Sequence, residues 1–190
     1  MALNYRTYLH LTQLLDLQEP KSAPAEHDEM LFIVTHQTYE LWFKQLLHEL
    51  EKIGRDFLAG DLFGAIATWK RSRTIMKVLV SQLDILETMT PLSFASFRER
   101  LDTASGFQSV QFREIESYLG YKRAQLQKTP GLDEDDVARM QRRLREPTLI
   151  DHFYVFLQHR GLKVPESLLQ RDVSQPNEAN EALQTELLAA

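Results

Sequence analysis

From His27 to about Leu58 the chain contains no proline and no glycine before Gly54, while Leu31, Val34, Tyr39, Trp42, Leu46 and Leu50 recur at steps of three to five residues. That spacing places apolar side chains on one face of an α-helix, whereas a half-buried strand would alternate with a period of about two. The stretch therefore predicts one long, mostly buried helix. Elsewhere the seven glycines and seven prolines fall between periodic segments and divide the chain into further helices. Leu9, Leu11, Leu14, Leu15 and Leu17 mark a short amphipathic segment before Pro20. Asp61 is a plausible N-cap for a second long helix through Trp69, Ile75, Val78, Leu79, Leu83 and Leu86, ended by Thr90-Pro91. Two further helices, Leu92 to Leu101 and Gln108 to Leu119, flank the Thr103-Ala104-Ser105-Gly106 turn.

The later third is marked by its helix ends. Four acids, Asp133 to Asp136, suit a helix N-terminus, and Pro147 suits the first turn of a helix carrying Leu149, Phe153, Phe156 and Leu157 that stops at Gly161. Beyond Pro165 only Leu183, Leu187 and Leu188 keep an apolar spacing, so the tail is either a weak helix or frayed. No strand, phosphate-binding glycine loop or repeat is evident. The expected fold is all-α, a helical bundle forming a single domain over 1–190, with an arm and short helix at 1–25, a helical core at 27–165 and a polar tail at 166–190.

Composition narrows the function classes. With 190 residues the chain can bury one sizeable core. The longest apolar run, Met30 to Val34, is too short to cross a bilayer, which needs about 20 residues. Residues 1–10 carry no continuous apolar stretch of the signal-peptide kind, so the expectation is a cytoplasmic protein. Cysteine is absent, which removes disulfides, thiol nucleophiles, iron–sulfur clusters and cysteine-built zinc sites. A net charge of −5 argues against nucleic acid and for a small molecule or another protein as partner.

Among candidate chemical groups, Phe32, His36 and Glu40 share one helical face, putting an aromatic plate beside an imidazole. Taken alone, His36 reads more readily as a satisfied core histidine hydrogen-bonded to a neighbouring backbone. Arg98 and Arg113 sit among Phe94, Phe97, Phe107 and Phe112, where a guanidinium could clamp a ligand carboxylate or simply form an ion pair. Ser105 lies in a small-residue turn ahead of a helix, which suits an anion, a ligand amine or an ordinary cap. His48-Glu49 begins like a zinc-protease motif, but Lys52 stands where the second histidine is required. His152 and His159 share a helical stripe without accompanying carboxylates, a poor metal site.

Tyr5-Arg6-Thr7-Tyr8-Leu9, the run His27-Asp28-Glu29-Met30-Leu31-Phe32-Ile33-Val34-Thr35-His36-Gln37-Thr38-Tyr39-Glu40-Leu41-Trp42-Phe43-Lys44-Gln45, Leu86-Glu87-Thr88-Met89-Thr90-Pro91, Phe97-Arg98 and Ser105-Gly106-Phe107-Gln108-Ser109 follow one another in an order that resembles the tryptophan 2,3-dioxygenase family. The likeness covers most of 5–165. It implies an all-α, homotetrameric, haem b enzyme that inserts both atoms of O2 across the indole C2–C3 bond of L-tryptophan, giving N-formylkynurenine. By the same resemblance His36 is the catalytic distal histidine near the indole N–H, and Phe32 packs on the indole. Arg98 binds the substrate carboxylate, Phe94 lines the pocket, and Ser105 lies near haem and substrate. Tyr5, Tyr8 and Leu9 enter from a neighbouring subunit. Family members run longer, and their later helices carry the proximal histidine and a Gly-Thr-Gly-Gly-Ser-Ser-Gly loop, whereas this sequence reaches Ala190 with neither. The expectation is a truncated or split form whose haem-ligand half comes from another chain. The alternatives are a haem-free aromatic amino-acid binding module, or a haem protein ligated through His152 or His159 that acts on another indole or phenol.

Overall fold

A computed structural model describes residues 2–125 and 129–189. Every regular element among them is helical: α1 (Tyr5–Tyr8), α2 (Leu11–Leu14), α3 (His27–Leu58), α4 (Leu62–Leu86), α5 (Pro91–Arg98), α6 (Val110–Tyr118), α7 (Glu134–Arg145), α8 (Leu149–His159), α9 (Glu166–Leu169) and α10 (Glu181–Ala189). Short 3-10 turns at Glu99–Leu101 and Gly106–Gln108 complete the set. The all-α architecture is thus as the periodicity predicts. No helix of the described residues is long and apolar enough to cross a membrane.

The chain divides into two compact units, one of Met1–Tyr39 with Leu79–Thr103, the other of Glu40–Val78 with Ala104–Ala190. In the first unit Phe97 is fully buried, beside Phe32 and Phe94 with ring centroids 5.6 and 5.5 Å away. Tyr39 donates its hydroxyl to the Leu79 carbonyl at 2.7 Å. The arm is fastened to α3 by polar contacts. Gln18 bonds Gln37 at 2.5 Å, Gln37 donates to the Leu17 carbonyl at 3.0 Å, and the buried Glu29 accepts the N–H groups of Lys21 and Ser22 at 2.6 and 3.0 Å and the Ser22 hydroxyl. Burial would raise the Glu29 pKa, but these hydrogen bonds, led by the Lys21 N–H, hold it below the ordinary glutamate value.

The core of the second unit includes Leu46, Leu50, Ile53, Ala65, Ile115, Met140 and Leu149, with α6 packed on α7. Arg143 on α7 pairs with Glu51 at 2.6 Å and Glu146 at 3.0 Å, while Arg139 pairs with the buried Glu114 at 2.5 Å. The buried Lys122 ammonium caps the end of α7 by donating to the carbonyls of Arg143 (3.3 Å), Leu144 (2.8 Å) and Glu146 (2.5 Å). Burial pushes its pKa down to about 8. A satellite core of Tyr154, Phe156, Leu157 and Leu183 binds the tail back onto α8.

The element ends follow the side chains that satisfy them. Asp61 caps α4 through the Gly64 N–H at 2.9 Å, and Asp133 caps α7 through that of Asp136 at 2.8 Å. Two features differ from the sequence reading, and the tail takes the helical one of its two alternatives. The segment Leu9 to Leu17 is not one helix, because His10 takes a left-handed backbone, φ 50°, between α1 and α2. Pro147 precedes α8 instead of opening it, because Thr148 and Asp151 form a reciprocal capping box there. The tail contains the short α9 and α10, and Leu183 is buried.

Candidate active site

Phe32 and His36 stand one turn apart on α3, with ring centroids 4.1 Å apart. Phe94, at 5.7 Å from Phe32, and Phe97 extend this into an aromatic wall in the first unit. His36 Nδ1 lies 2.7 Å from the Phe32 carbonyl oxygen. A carbonyl can only accept, so Nδ1 carries the proton, and in the neutral ring Nε2 is left with a lone pair that can accept a ligand N–H. Arg98 follows Phe97 at the end of α5 and is exposed. Its guanidinium donates to the Asp102 carbonyl at 3.4 Å and pairs with no carboxylate among the described residues. Asp102 takes φ 48°, a backbone uncommon for a side-chain-bearing residue, just after the 3-10 turn. An aromatic wall, an N–H acceptor and an unpaired guanidinium together suit an amphipathic aromatic amino acid, whose ring is desolvated while its carboxylate is paired.

Other candidates are placed differently. Ser105, in the second unit, is exposed and caps its own 3-10 turn, accepting the Phe107 N–H at 3.3 Å while its backbone N–H bonds Gln108 at 3.1 Å. Arg113 is no open clamp, because Glu116 pairs with it at 2.6 Å and its guanidinium lies over Phe112 at 5.2 Å. Tyr5 and Tyr8 on α1 and Leu9 at its C-cap are exposed, and α1 buries none of its residues. Glu29 escaped the sequence reading, although Glu29, Phe32 and His36 at i, i+3 and i+7 share one helical face.

The residues present fit the distal side of a haem pocket, with an aromatic wall and a histidine lone pair, and the described residues supply no evident axial ligand. His152 Nδ1 sits 3.3 Å from the Tyr118 hydroxyl, and burial lowers its pKa. His159 is exposed at the end of α8. No group of three side chains that could hold a metal ion occurs among the described residues.

Fold and site together define an all-helical protein that sets an aromatic wall beside a histidine in its first unit. A sequence model of the tryptophan 2,3-dioxygenase family matches residues 1–168. The chain is 50% identical over 188 residues to the tryptophan 2,3-dioxygenase of Herpetosiphon aurantiacus, covering 98% of this chain and 72% of that protein. It is 50% identical to the Nocardioides sp. enzyme of that name and 46% identical to the one from Anaeromyxobacter sp., over 84% and 86% of this chain. It spans 61% of the length of each of those two. The chain belongs to the tryptophan 2,3-dioxygenase family.

Proposed function

We propose that this protein acts as a tryptophan 2,3-dioxygenase, opening the indole ring of L-tryptophan with O2 to give N-formylkynurenine, and that its described residues supply the substrate-recognising wall. The observation that carries this is the Phe32–His36 pair, in which the Phe32 carbonyl fixes the tautomer of His36. The indole packs against Phe32 and Phe94, which exclude water from the ring. His36 Nε2 accepts the indole N–H, orienting the C2–C3 edge. Arg98 pairs with the carboxylate through the guanidinium donors that Asp102 does not engage. Haem b, when bound, supplies the dioxygen chemistry. A haem-side role for Ser105 rests on the family resemblance alone.

The proposal extends to assembly. The exposed Tyr5, Tyr8 and Leu9 complete the pocket of a neighbouring subunit in a homotetramer, a role that suits apolar side chains on a helix with no buried residue of its own. The iron ligand comes from outside the described residues, carried by another polypeptide segment. To test the activity, the protein is combined with a polypeptide segment that supplies the iron ligand, loaded with haem under reducing conditions and given L-tryptophan and isotopically labelled O2. N-formylkynurenine carrying both labelled atoms supports the reading. Haem-loaded protein that leaves tryptophan unchanged defeats it.

A further inference from the structure

A groove of about 620 Å³ opens within the second unit, walled by Leu62, Ala65, Ile66 and Trp69 of α4, by Phe57, and by Leu119, Leu149, Ile150 and Phe153. Its volume is that of a small-molecule site, about 300–1,000 Å³. Its polarity is graded along α4. The wall from Leu62 to Trp69 is apolar, and Lys70 and Arg73 stand at the other end. Leu62 to Arg73 spans about 16 Å at a rise of about 1.5 Å per residue, longer than a compact aromatic acid. Neither Lys70 nor Arg73 pairs with a carboxylate among the described residues, whereas Arg71 between them is held by Glu49 at 3.1 Å.

An apolar trough with two cations one turn apart at one end is complementary to an elongated amphiphile with a single anionic head. We infer that the groove binds a free medium- or long-chain carboxylate, its hydrocarbon along Leu62, Ile66, Ile150 and Phe153 and its carboxylate between Lys70 and Arg73. Trp69 stands where tail meets head and reports on occupancy. None of these residues belongs to the Phe32–His36 wall, so the site is separate from the proposed tryptophan pocket.

The chain holds two tryptophans, so Trp42→Phe leaves Trp69 as the sole emitter. Decanoate, kept below its micelle concentration, is titrated into this variant, and shifts of the Ile66 and Ile150 methyl resonances provide the same reading in the unmodified chain. The expected result is a saturable change in Trp69 emission, weakened at least about tenfold for decanol and for decanoate against Lys70→Glu/Arg73→Glu. Both substituted side chains are exposed, so circular dichroism should show an unchanged fold. No saturable change in either readout overturns the inference. So does equal affinity for decanol, or for the charge-reversed variant, which would leave an apolar patch without head recognition. A change that tracks protein dimerisation likewise overturns it, assigning the face to a second copy of the chain.

Discussion

His36 donates its Nδ1 proton to the carbonyl oxygen of Phe32 at 2.7 Å, so one backbone atom of the aromatic wall sets which nitrogen of the catalytic candidate stays free. The expected consequence is discrimination at the indole N–H. The protein should bind L-tryptophan more tightly than its indole-N-methylated analogue, by about 0.5–1.5 kcal/mol for a neutral hydrogen bond. His36→Ala should erase that difference, and the ratio of the two dissociation constants checks it.

Arg98 carries the carboxylate end of the same argument. Arg98→Ala should weaken L-tryptophan binding by about 2–4 kcal/mol if the pair closes against water, and tryptamine, which lacks the carboxylate, should bind both forms alike. Calorimetric titration of the two ligands separates a lost carboxylate partner from a disturbed pocket.

Phe97 is fully buried beside Phe32 and Phe94. Phe97→Ala should therefore destabilise the protein by about 3–5 kcal/mol, measured by denaturant unfolding, with Phe97→Leu costing less. Gly54 sets a second limit on packing, because an added Cβ would clash with the Tyr118 hydroxyl and stand 2.7 Å from His152 Nδ1. Gly54→Ala should cost about 1–3 kcal/mol.

Lys122 and Tyr118 give opposite pH dependences. Burial depresses Lys122 to about 8, so between there and its ordinary value the unfolded chain holds a proton that the folded chain has released, and stability rises with pH. Burial raises Tyr118 to about 12, so above its ordinary value the folded chain keeps a proton that the unfolded chain has lost, and stability falls as pH rises. The two contributions together peak near pH 10, about the ordinary tyrosine value. Lys122→Met should remove the alkaline rise and, by leaving three carbonyls uncapped, lower stability at neutral pH. Unfolding of both proteins across this range, compared as a difference, checks the sign.

Glu29 works in the acid range. Its folded pKa lies below the ordinary value, so its contribution is complete above that value and is lost as pH falls through the folded pKa. Glu29→Gln should flatten this acid limb and cost about 1–3 kcal/mol at neutral pH, because the amide N–H₂ would replace one carboxylate oxygen and face a backbone N–H donor.

The sequence made the long helices legible because α3 and α4 combine apolar spacing with an absence of proline, and Asp61 and Asp133 mark the starts of α4 and α7 by a chemistry visible in a single residue. The contact between Phe32 and His36 was readable from spacing alone, since residues four apart share a helical face. A guanidinium among phenylalanines already suggests a carboxylate clamp, but the choice of Arg98 over Arg113, and the role of Phe94, come only through the family resemblance. Glu29 stayed hidden because its role comes from the irregular Lys21–Ser22 loop folding back on it. Pro147 misled for a related reason: a proline just before a cap and one just after it give the same local signal. Burial of Leu183 rests on Tyr154, Phe156 and Leu157, contacts that the weak periodicity of the tail could not reveal.

The most direct test of the account is saturation-transfer NMR of L-tryptophan with the purified protein, recorded beside the Phe32→Ala and Arg98→Ala variants. The account predicts transfer concentrated on the indole protons, sharply reduced in both variants. Absence of transfer, or transfer unchanged by both substitutions, would contradict the assignment of the Phe32–His36 wall to tryptophan.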